Sequence, residues 1–351
     1  FVGPTAEHLR VLGDKLEARA AAVAAGLPVL PGGEVRDDAE ARAMLERTGL
    51  PVLVKAVGGG GGRGMRLVES ERDLAHALEV SMAEAGGAFG NRRVYLERFV
   101  GRGRHVEVQL LGDGERVLHI GERDCSVQRR YQKLVEEAPA ANLGDGLRAA
   151  MHEAAVRLGH HLGFRSLGTV EFLVDVERED FSFLEVNPRI QVEHPVTEAT
   201  TGLDLVAEQL SVAEGHPLVL RQEDVALRGH AVECRINAED PDRDFAPGPG
   251  TVTAVRLPAG DGLRVDAAVQ TGSKVPPYYD SLVAKLIVWG PDRPAALERL
   301  AGALDRFCVE GVPTTIPLHR RLVAHPELRA GGVDTGWLGR VLESAEGATR
   351  G

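Results

Sequence analysis

LEVNPRIQVEHPVTE, at Leu184–Glu198, is the segment from which we infer the fold. It holds three glutamates, an Asn, an Arg, a Gln and a His, and it is interrupted by Pro188 and Pro195. Two prolines so close together argue against a helix and against a central strand, and no hydrophobic face repeats through the segment. We therefore interpret it as a catalytic loop that follows a strand, FSFLEVN, at residues 181–187. An exposed polar loop without a function is the alternative.

A second acidic strand is predicted upstream, at Gly168–Asp175 (GTVEFLVD), and a short turn-like segment joins it to the strand at 181–187. If the two strands pair antiparallel, Glu171, Glu185 and Asn187 converge at one end of the sheet. Two carboxylates about 4 Å apart repel by roughly 4 kcal/mol at an effective dielectric constant near 20. Such a pair needs a cation, and ligands that are all oxygen suit Mg²⁺ or Mn²⁺.

The composition is ordinary for a soluble globular protein, and the 351 residues predict two to three domains. A net charge of −11 and an aromatic content of 4% argue against a nucleic-acid partner. Three widely spaced cysteines argue against a disulfide framework or a zinc site and indicate a reducing compartment. No apolar run approaches the roughly 20 residues that cross a bilayer, and no signal peptide opens the chain. We expect a cytoplasmic enzyme without a membrane partner.

Lysine is scarce, since only five of the 41 basic residues are lysines: Lys15, Lys55, Lys133, Lys274 and Lys285. Arg is used almost wherever a solvated positive charge would serve. A lysine that remains is a candidate for a position that needs a compact ammonium, for example beside a phosphate. Chance codon usage is the alternative. Lys285 is the weaker candidate, because an ion pair with Asp280 is a simpler explanation for it.

A glycine-rich segment lies between two predicted strands, Pro51–Val57 (PVLVKAV) and Met65–Val68 (MRLV). Gly58–Met65 (GGGGGRGM) contains six glycines, which lose much conformational entropy on ordering and offer no side-chain contact. Their bare backbone N–H groups can approach a phosphate closely. The segment has neither the ending of a P-loop nor the helix of a dinucleotide fingerprint. Strand, glycine flap and strand instead indicate a loop that covers nucleotide phosphates; a flexible linker is the alternative.

Hydrophobic periodicity predicts the remaining elements. Helices are expected at residues 6–25, 38–47, 69–85, 147–162, 204–215 and 294–307, and strands at 93–99, 104–111 and 117–123. Alternation in the strand at 104–111 puts His105, Glu107 and Gln109 on one face, where a lone His is usually structural.

Three further regions are assigned by composition. Asp124–Pro139 (DCSVQRRYQKLVEEAP) is highly charged and has no clean helical face, and a solvated loop is one interpretation of it. Past Leu227, turn-rich and alternating sequence predicts a compact β-rich domain. The small, polar tail beyond Val341 is expected to fray into a linker.

Five motifs occur in the order GGGGGRGM, ERDCSVQRR, RIQVEHPVTE, GHAVECRINAEDP and PPYYDSLVAKL. Together they resemble the biotin carboxylase family of the ATP-grasp superfamily, over nearly the whole chain. The resemblance implies an α+β fold with a small glycine-flap lid at residues 29–100 and a larger antiparallel-sheet catalytic subdomain at 101–227. A β-rich biotin carboxylase C-terminal domain would occupy 228–340, and 341–351 would be a linker tail. Residues 1–28 would be a remnant and linker helix after a missing N-terminal α/β domain.

The resemblance also implies an activity and roles for single residues. The family uses ATP, Mg²⁺ (or Mn²⁺) and bicarbonate to make carboxyphosphate, and then carboxylates biotin. ATP would be bound by Lys15, Lys55, Gly60, Gly61, Gly62, Glu97, Arg98, Val100, His105 and Gln128, with Lys133 also among the phosphates. The metal ligands would be Glu171, Glu185 and Asn187, and the bicarbonate site would be Arg189, Gln191 and Val192. Glu193 would be the base that deprotonates bicarbonate, with a pKa raised by its acidic surroundings. Arg235 would stabilise the biotin enolate.

Some positions depart from the family pattern. Arg98 stands where Lys is frequent and Tyr131 where His is commoner, so both put a nucleotide contact in question. Pro188 replaces a Thr and is expected to be harmless. No Lys is flanked by Met, so biotin must be supplied by a carrier domain of the same or another chain. A carboxyltransferase is the other implied partner, and a homodimer is expected.

Two other functions stay open at this point. One is an ATP-grasp ligase that activates a different acid or a carbamate through an acyl phosphate. The other is an ATP-binding module without turnover, against which Glu193 and Arg235 argue, because a binding module has no need of them. The leading hypothesis is the first half-reaction of an acyl-CoA or pyruvate carboxylase.

Overall fold

The computed structural model describes residues 1–57 and 65–349, so that Gly60, Gly61 and Gly62 lie outside the described residues. Helices α1 to α11 are Ala6–Gly13, Lys15–Ala24, Asp38–Thr48, Glu71–Phe89, Asp145–Leu162, His194–Thr201, Leu205–Ala213, Arg293–Arg306, Ile316–Ala324, Pro326–Ala330 and Trp337–Thr349. Strands β1 to β9 are Gly32–Val35, Val52–Ala56, Arg66–Val68, Val94–Arg98, Gly103–Asp113, Val117–Arg129, Gln132–Ala138, Arg165–Asp175 and Asp180–Asn187. Strands β10 to β18 are His230–Asn237, Glu239–Asp240, Ala246–Pro247, Gly250–Thr251, Ala254–Arg256, Leu263–Ala267, Lys274–Val275, Leu282–Gly290 and Cys308–Glu310.

A small sheet forms the predicted lid. Its strands lie in the order β1, β4, β2, β3 within the described ranges, and each neighbouring pair is antiparallel. Apolar residues of α3 and α4, including Leu74 and Leu78, pack against Val52, Val54 and Leu96 of the sheet. The predicted strands on either side of the glycine-rich segment are therefore confirmed, at β2 and β3.

A large antiparallel sheet carries the second half of the fold. Within the described residues its order is β15, β17, β10, β7, β6, β5, β8, β9. Phe172 and Val106, on neighbouring strands, pack in one core with Met151 and Leu158 of helix α5. The predicted pairing of the two acidic strands is confirmed, because β8 and β9 are antiparallel and Glu171 lies directly opposite Glu185.

The charged stretch Asp124–Pro139 is not a solvated loop. It forms the end of β6, a turn and β7, and most of it is buried. The solvated interpretation is wrong because the charges have buried partners on other strands, as Arg104 shows by its hydrogen bond to Asp124 at 2.6 Å.

Three boundaries differ from those expected. Helix α6 begins at His194, inside the segment where prolines argued against a helix; Pro195 fits because a first-turn residue needs no backbone N–H. The first predicted helix is divided at Asp14, whose side chain caps the N-terminus of α2. The tail beyond Val341 belongs to helix α11 instead of fraying, since its Ala, Leu and Glu residues favour helix and Leu338 anchors its first turn in the core.

The large sheet continues past the point where the sequence changes character. Strand β10 pairs with β7 on one side and with β17 on the other. Its apolar face packs with helices α8, α9 and α11, and Trp337 is among the fully buried side chains of this core. No helix in the described part of the chain is both long and apolar enough to span a membrane.

Candidate active site

A cavity of about 810 Å³ lies between the lid sheet and the large sheet. Lys55 and Glu97 line it from the lid, and Glu171, Glu193 and Arg235 line it from the large sheet and from the segment after β9. The cavity therefore collects side chains from elements that are far apart in the chain.

The predicted metal ligands lie together. Glu171 and Glu185 are opposite residues of β8 and β9, and Asn187 Nδ2 donates to Glu171 Oε1 at 2.9 Å. Burial, and then the charge of Glu171, raise the pKa of Glu185. The nearby cations therefore do not fully balance the negative charge of an ionised Glu185. Two carboxylates and an amide oxygen are hard donors, and the disfavoured charge on Glu185 fits a divalent cation such as Mg²⁺ or Mn²⁺.

Lys133 is at the centre of the acidic groups. Its ammonium donates to Glu107 at 2.6 Å, to Glu193 at 2.6 Å and to Glu171 at 3.2 Å. Burial disfavours its charged form, but the surrounding anions outweigh burial and raise the pKa of Lys133 well above its usual value. The ammonium thus links the predicted metal ligand to the predicted base.

Glu193 is held by two cations. Lys133 contacts one carboxylate oxygen, and Arg235 donates to the other at 3.0 Å. Burial and Glu107 both act to raise the pKa of Glu193, but the two cations prevail and the pKa is lowered. The expected upward shift is therefore wrong, because the sequence showed the acidic neighbours of Glu193 but not the cations that contact it.

The predicted nucleotide residues divide into two groups. Lys55 forms an ion pair with Glu97 across β2 and β4, and Lys15, from α2, lines the same part of the cavity. Burial lowers the pKa of Lys15, although the nearby Glu185 acts in the opposite direction. Val100 and Gln128 also line the cavity.

His105 and Arg98 also line the cavity, and each lies near an acidic residue. His105 Nε2 lies 3.0 Å from Glu171 Oε2, so His105 faces the predicted metal ligands. Arg98 lies 3.8 Å from Asp175. Tyr131, the other departure from the family pattern, is 54% exposed in the turn between β6 and β7, with φ of 68°.

The predicted bicarbonate residues surround Asn187 and Glu171. Arg189 donates to Asn187 Oδ1 at 3.0 Å and is otherwise exposed, while Gln191 donates to Glu171 Oε1 at 3.0 Å. The carbonyl oxygen of Val192 accepts from Lys285 at 2.9 Å. Lys285 also lies 3.4 Å from Asp266, so the expected pairing with Asp280 is wrong.

Two residues of the site were missed as candidates. Arg123 is fully buried and donates to Glu107 at 2.7 Å, to Gln109 at 2.8 Å and to Gln191 at 3.0 Å. Glu107, the second of them, accepts hydrogen bonds from both Arg123 and Lys133. The available signal was the position of Arg123 within a predicted strand, since a guanidinium buried there requires acceptors on its neighbours.

Comparison with known proteins agrees with this geometry. Residues 14–221 match the family model described as carbamoyl-phosphate synthase L chain, ATP binding domain, and residues 233–340 match the biotin carboxylase C-terminal domain. The biotin carboxylase of Nostoc sp. is 49% identical over 341 residues, which are 96% of this chain and 76% of the relative. The biotin carboxylase of Pseudomonas aeruginosa is 48% identical over 97% of this chain and 76% of the relative.

Solved structures agree as well. The biotin carboxylase domain dimer of Hydrogenobacter thermophilus 2-oxoglutarate carboxylase, in complex with MgADP, ADP and bicarbonate, superposes with a TM-score of 0.93. It is 43% identical, and the match covers 97% of this chain and 76% of that one. Biotin carboxylase of Campylobacter jejuni, in a βγ-ATP complex, also gives a TM-score of 0.93 at 42% identity, over 97% of this chain and 76% of that one. The chain belongs to the biotin carboxylase family of ATP-dependent ligases.

Proposed function

We propose that this chain uses ATP to activate bicarbonate as carboxyphosphate and passes the carboxyl group to biotin on a carrier domain. The observation that carries the proposal is the contact chain Glu171, Lys133, Glu193, Arg235 inside one cavity. It connects a candidate metal site to a base and then to a partly buried guanidinium. Structural relatives with bound MgADP, ADP and bicarbonate support the choice of substrates.

Glu171, Glu185 and Asn187 would hold Mg²⁺ or Mn²⁺. The donor set and the disfavoured charge of Glu185 fit such an ion. A bound ion would neutralise charge on the transferring phosphoryl group. His105 lies 3.0 Å from Glu171 and would orient that carboxylate from behind.

Glu193 would accept the proton of bicarbonate. Lys133 and Arg235 lower the pKa of Glu193, which favours the ionised carboxylate, the form that can accept a proton. Arg189 and Gln191, with the backbone of Val192, would hold the bicarbonate ion beside it. A planar guanidinium suits a planar oxyanion.

Three lysines would compensate the phosphate charge. Lys55 lies on the lid, Lys15 lies on helix α2 near Glu185, and Lys133 lies between the candidate metal ligands and Glu193. An ammonium between these groups would stabilise the negative charge of the phosphoryl group during its transfer from the nucleotide to bicarbonate. Glu97, Arg98, Val100, Gln128 and the glycines 60–62 would complete the nucleotide site.

Arg235 would stabilise the negative charge that develops on the ureido group of biotin. Its guanidinium is partly buried and is fixed by Glu136 at 2.5 Å and Glu193 at 3.0 Å. A preorganised cation needs no rearrangement when the charge appears.

The wider setting follows the relatives, among which are a pyruvate carboxylase and the carboxylase domain of a 2-oxoglutarate carboxylase. We infer a biotin carrier domain and a carboxyltransferase as partners, and a homodimer, as in the dimeric relative. The domain limits at 28, 100, 227 and 340 stay predictions, and so does a cytoplasmic location.

The test is ADP release with and without bicarbonate and free biotin. We expect hydrolysis that requires bicarbonate and is stimulated by biotin, together with labelled carboxybiotin from labelled bicarbonate. Bicarbonate-dependent hydrolysis without a biotin effect would favour a ligase that acts on another acid. Nucleotide binding without ADP release would favour a binding module.

A further inference from the structure

Two buried glutamates next to Arg235 have no role in the reaction described above. Glu136 on β7 and Glu233 on β10 are directly opposite residues of neighbouring antiparallel strands, and both are 0% exposed. Glu136 Oε1 accepts from Arg235 Nε at 2.5 Å. Among the described residues, the other three oxygens of the two carboxyl groups have no hydrogen-bond partner.

The surroundings of the pair are largely apolar. Ala138 and Ala231, the next opposite residues on the same face of the two strands, pack in a small apolar core with Val196 of helix α6. Ile287, opposite Glu233 on β17, belongs to the same core. Two ionised carboxylates cannot be stable there, since each would be desolvated and would repel the other.

We propose that Glu233 is a protonated carboxylic acid that donates its O–H to Oε2 of Glu136, and that it is thereby a positioning residue for Arg235. Opposite side chains in an antiparallel pair start about 5 Å apart, a gap that two glutamates span with one hydrogen bond. The shared proton removes the repulsion between the carboxyl groups and gives Glu136 Oε2 a donor. Glu136 then holds Arg235 by Nε in one orientation.

The titration behaviour agrees with this arrangement. Burial, and then the neighbouring Glu136, raise the pKa of Glu233 well above its usual value. Burial raises the pKa of Glu136 to about 7, although Arg235 acts in the opposite direction. Lys285, another nearby cation, is engaged by Val192 and Asp266. The carboxyl group without a direct cation contact is thus the one that carries the proton.

We expect the largest consequence in the second part of the reaction, because Lys133 still holds Glu193 when Arg235 is loosened. Arg235 with its Nε fixed keeps a terminal nitrogen on Glu193 and a defined direction toward the cavity. A loose Arg235 would stabilise charge on biotin poorly, whereas ATP and bicarbonate would still meet the lysines and the metal ligands. The inference rests on the role proposed for Arg235.

The experiment compares Glu233→Leu with Glu233→Gln in the intact enzyme. Leu removes the donor, and we expect kcat for free biotin to fall about tenfold, the effect of losing one well-placed hydrogen bond to a charged group. Biotin-independent, bicarbonate-dependent ADP release should fall less than the biotin-dependent rate, because Lys133 still contacts Glu193. Gln has an N–H in place of the acid O–H, so E233Q should restore most of the lost activity.

Infrared difference spectra between the substrate-free wild type and each Gln variant test the protonation of Glu233. We expect a carboxylic-acid C=O band that E233Q removes and that the matched variant E122Q leaves in place; Glu122 is a buried carboxylate whose pKa is lowered by contacts on helix α5. Absence of the band, or E233Q as inactive as E233L, overturns the proposal. The band can be read even if E233L does not fold, and even if the wild type proves not to carboxylate biotin.

Discussion

Replacing Glu193 by Gln removes a base while keeping the volume and one acceptor oxygen of the side chain. In the structure the carboxylate accepts hydrogen bonds from Lys133 at 2.6 Å and from Arg235 at 3.0 Å. An amide cannot take the proton of bicarbonate, and losing a positioned general base costs about 10²- to 10⁴-fold in rate. We therefore expect kcat for biotin carboxylation to fall by at least about a hundredfold.

The same contacts set the expected effect on stability. Hydrogen bonds to charged groups contribute about 1.5–3 kcal/mol each, and neutral ones about 1 kcal/mol. Weakening the hydrogen bonds from Lys133 and Arg235 should lower the unfolding free energy by about 1–3 kcal/mol. Part of this loss is offset, because a neutral amide is less costly to bury than a carboxylate. Lys15, Lys55 and Glu97 are unchanged, so ATP affinity should stay within about twofold.

Labelled bicarbonate incorporation measures the rate, and calorimetric titration with ATP measures the affinity. Glu122→Gln is the matched control, because it neutralises another buried carboxylate of the large sheet that contacts helix α5 instead of the cavity. E193Q retaining more than a tenth of wild-type kcat would refute the role of Glu193 as the base. Equal losses in E193Q and E122Q would assign the effect to folding.

Three further changes test other parts of the site. Lys55→Met should raise KM for ATP about tenfold by removing a charge-assisted phosphate contact, whereas the same change at the exposed Lys274 should not; equal KM values would contradict this role. Glu185→Gln should raise the Mg²⁺ concentration for half-maximal activity at least about tenfold without lowering unfolding free energy, because burial already disfavours this charge; an unchanged Mg²⁺ requirement would argue against it as a ligand. Burial lowers the pKa of His319 to about 4, with the hydrogen bond to Arg235 O acting oppositely. Between pH 6.5 and 4 the His319 ring therefore takes up a proton when the protein unfolds, and the free energy of unfolding should fall by up to about 3 kcal/mol as the pH is lowered through this range. Above pH 6.5, His319 should cause no pH dependence of the unfolding free energy. Denaturant titrations of His319→Gln should lack the fall between pH 6.5 and 4.

The elements that local pattern defines were predicted well. Two apolar strand patterns and the turn-like segment between them were enough to suggest that β8 pairs with β9 and brings Glu171 and Glu185 together. The two strands around the glycine-rich segment were likewise predictable, since short apolar runs bounded by glycines have few other structures. Both features depend on residues close together in the chain.

Long-range compensation of charge was not predictable. The stretch at 124–139 has a charge density typical of a solvated loop, yet Lys133 is largely buried because its partners Glu107, Glu171 and Glu193 come from other elements. For the same reason the sign of the pKa shift of Glu193 was wrong. A sequence gives the number of charges but not which of them come within 3 Å of one another.

The scarcity of lysine acquires a physical explanation at Lys133. Its ammonium serves Glu107, Glu171 and Glu193, which approach from different elements, so the donors must diverge in space. Three N–H bonds of an ammonium diverge in this way, whereas the donors of a guanidinium lie in one plane and suit paired oxygens on one side. A chain that otherwise prefers Arg therefore keeps Lys where acceptors surround a point, which is also the geometry that a phosphoryl group in transfer presents.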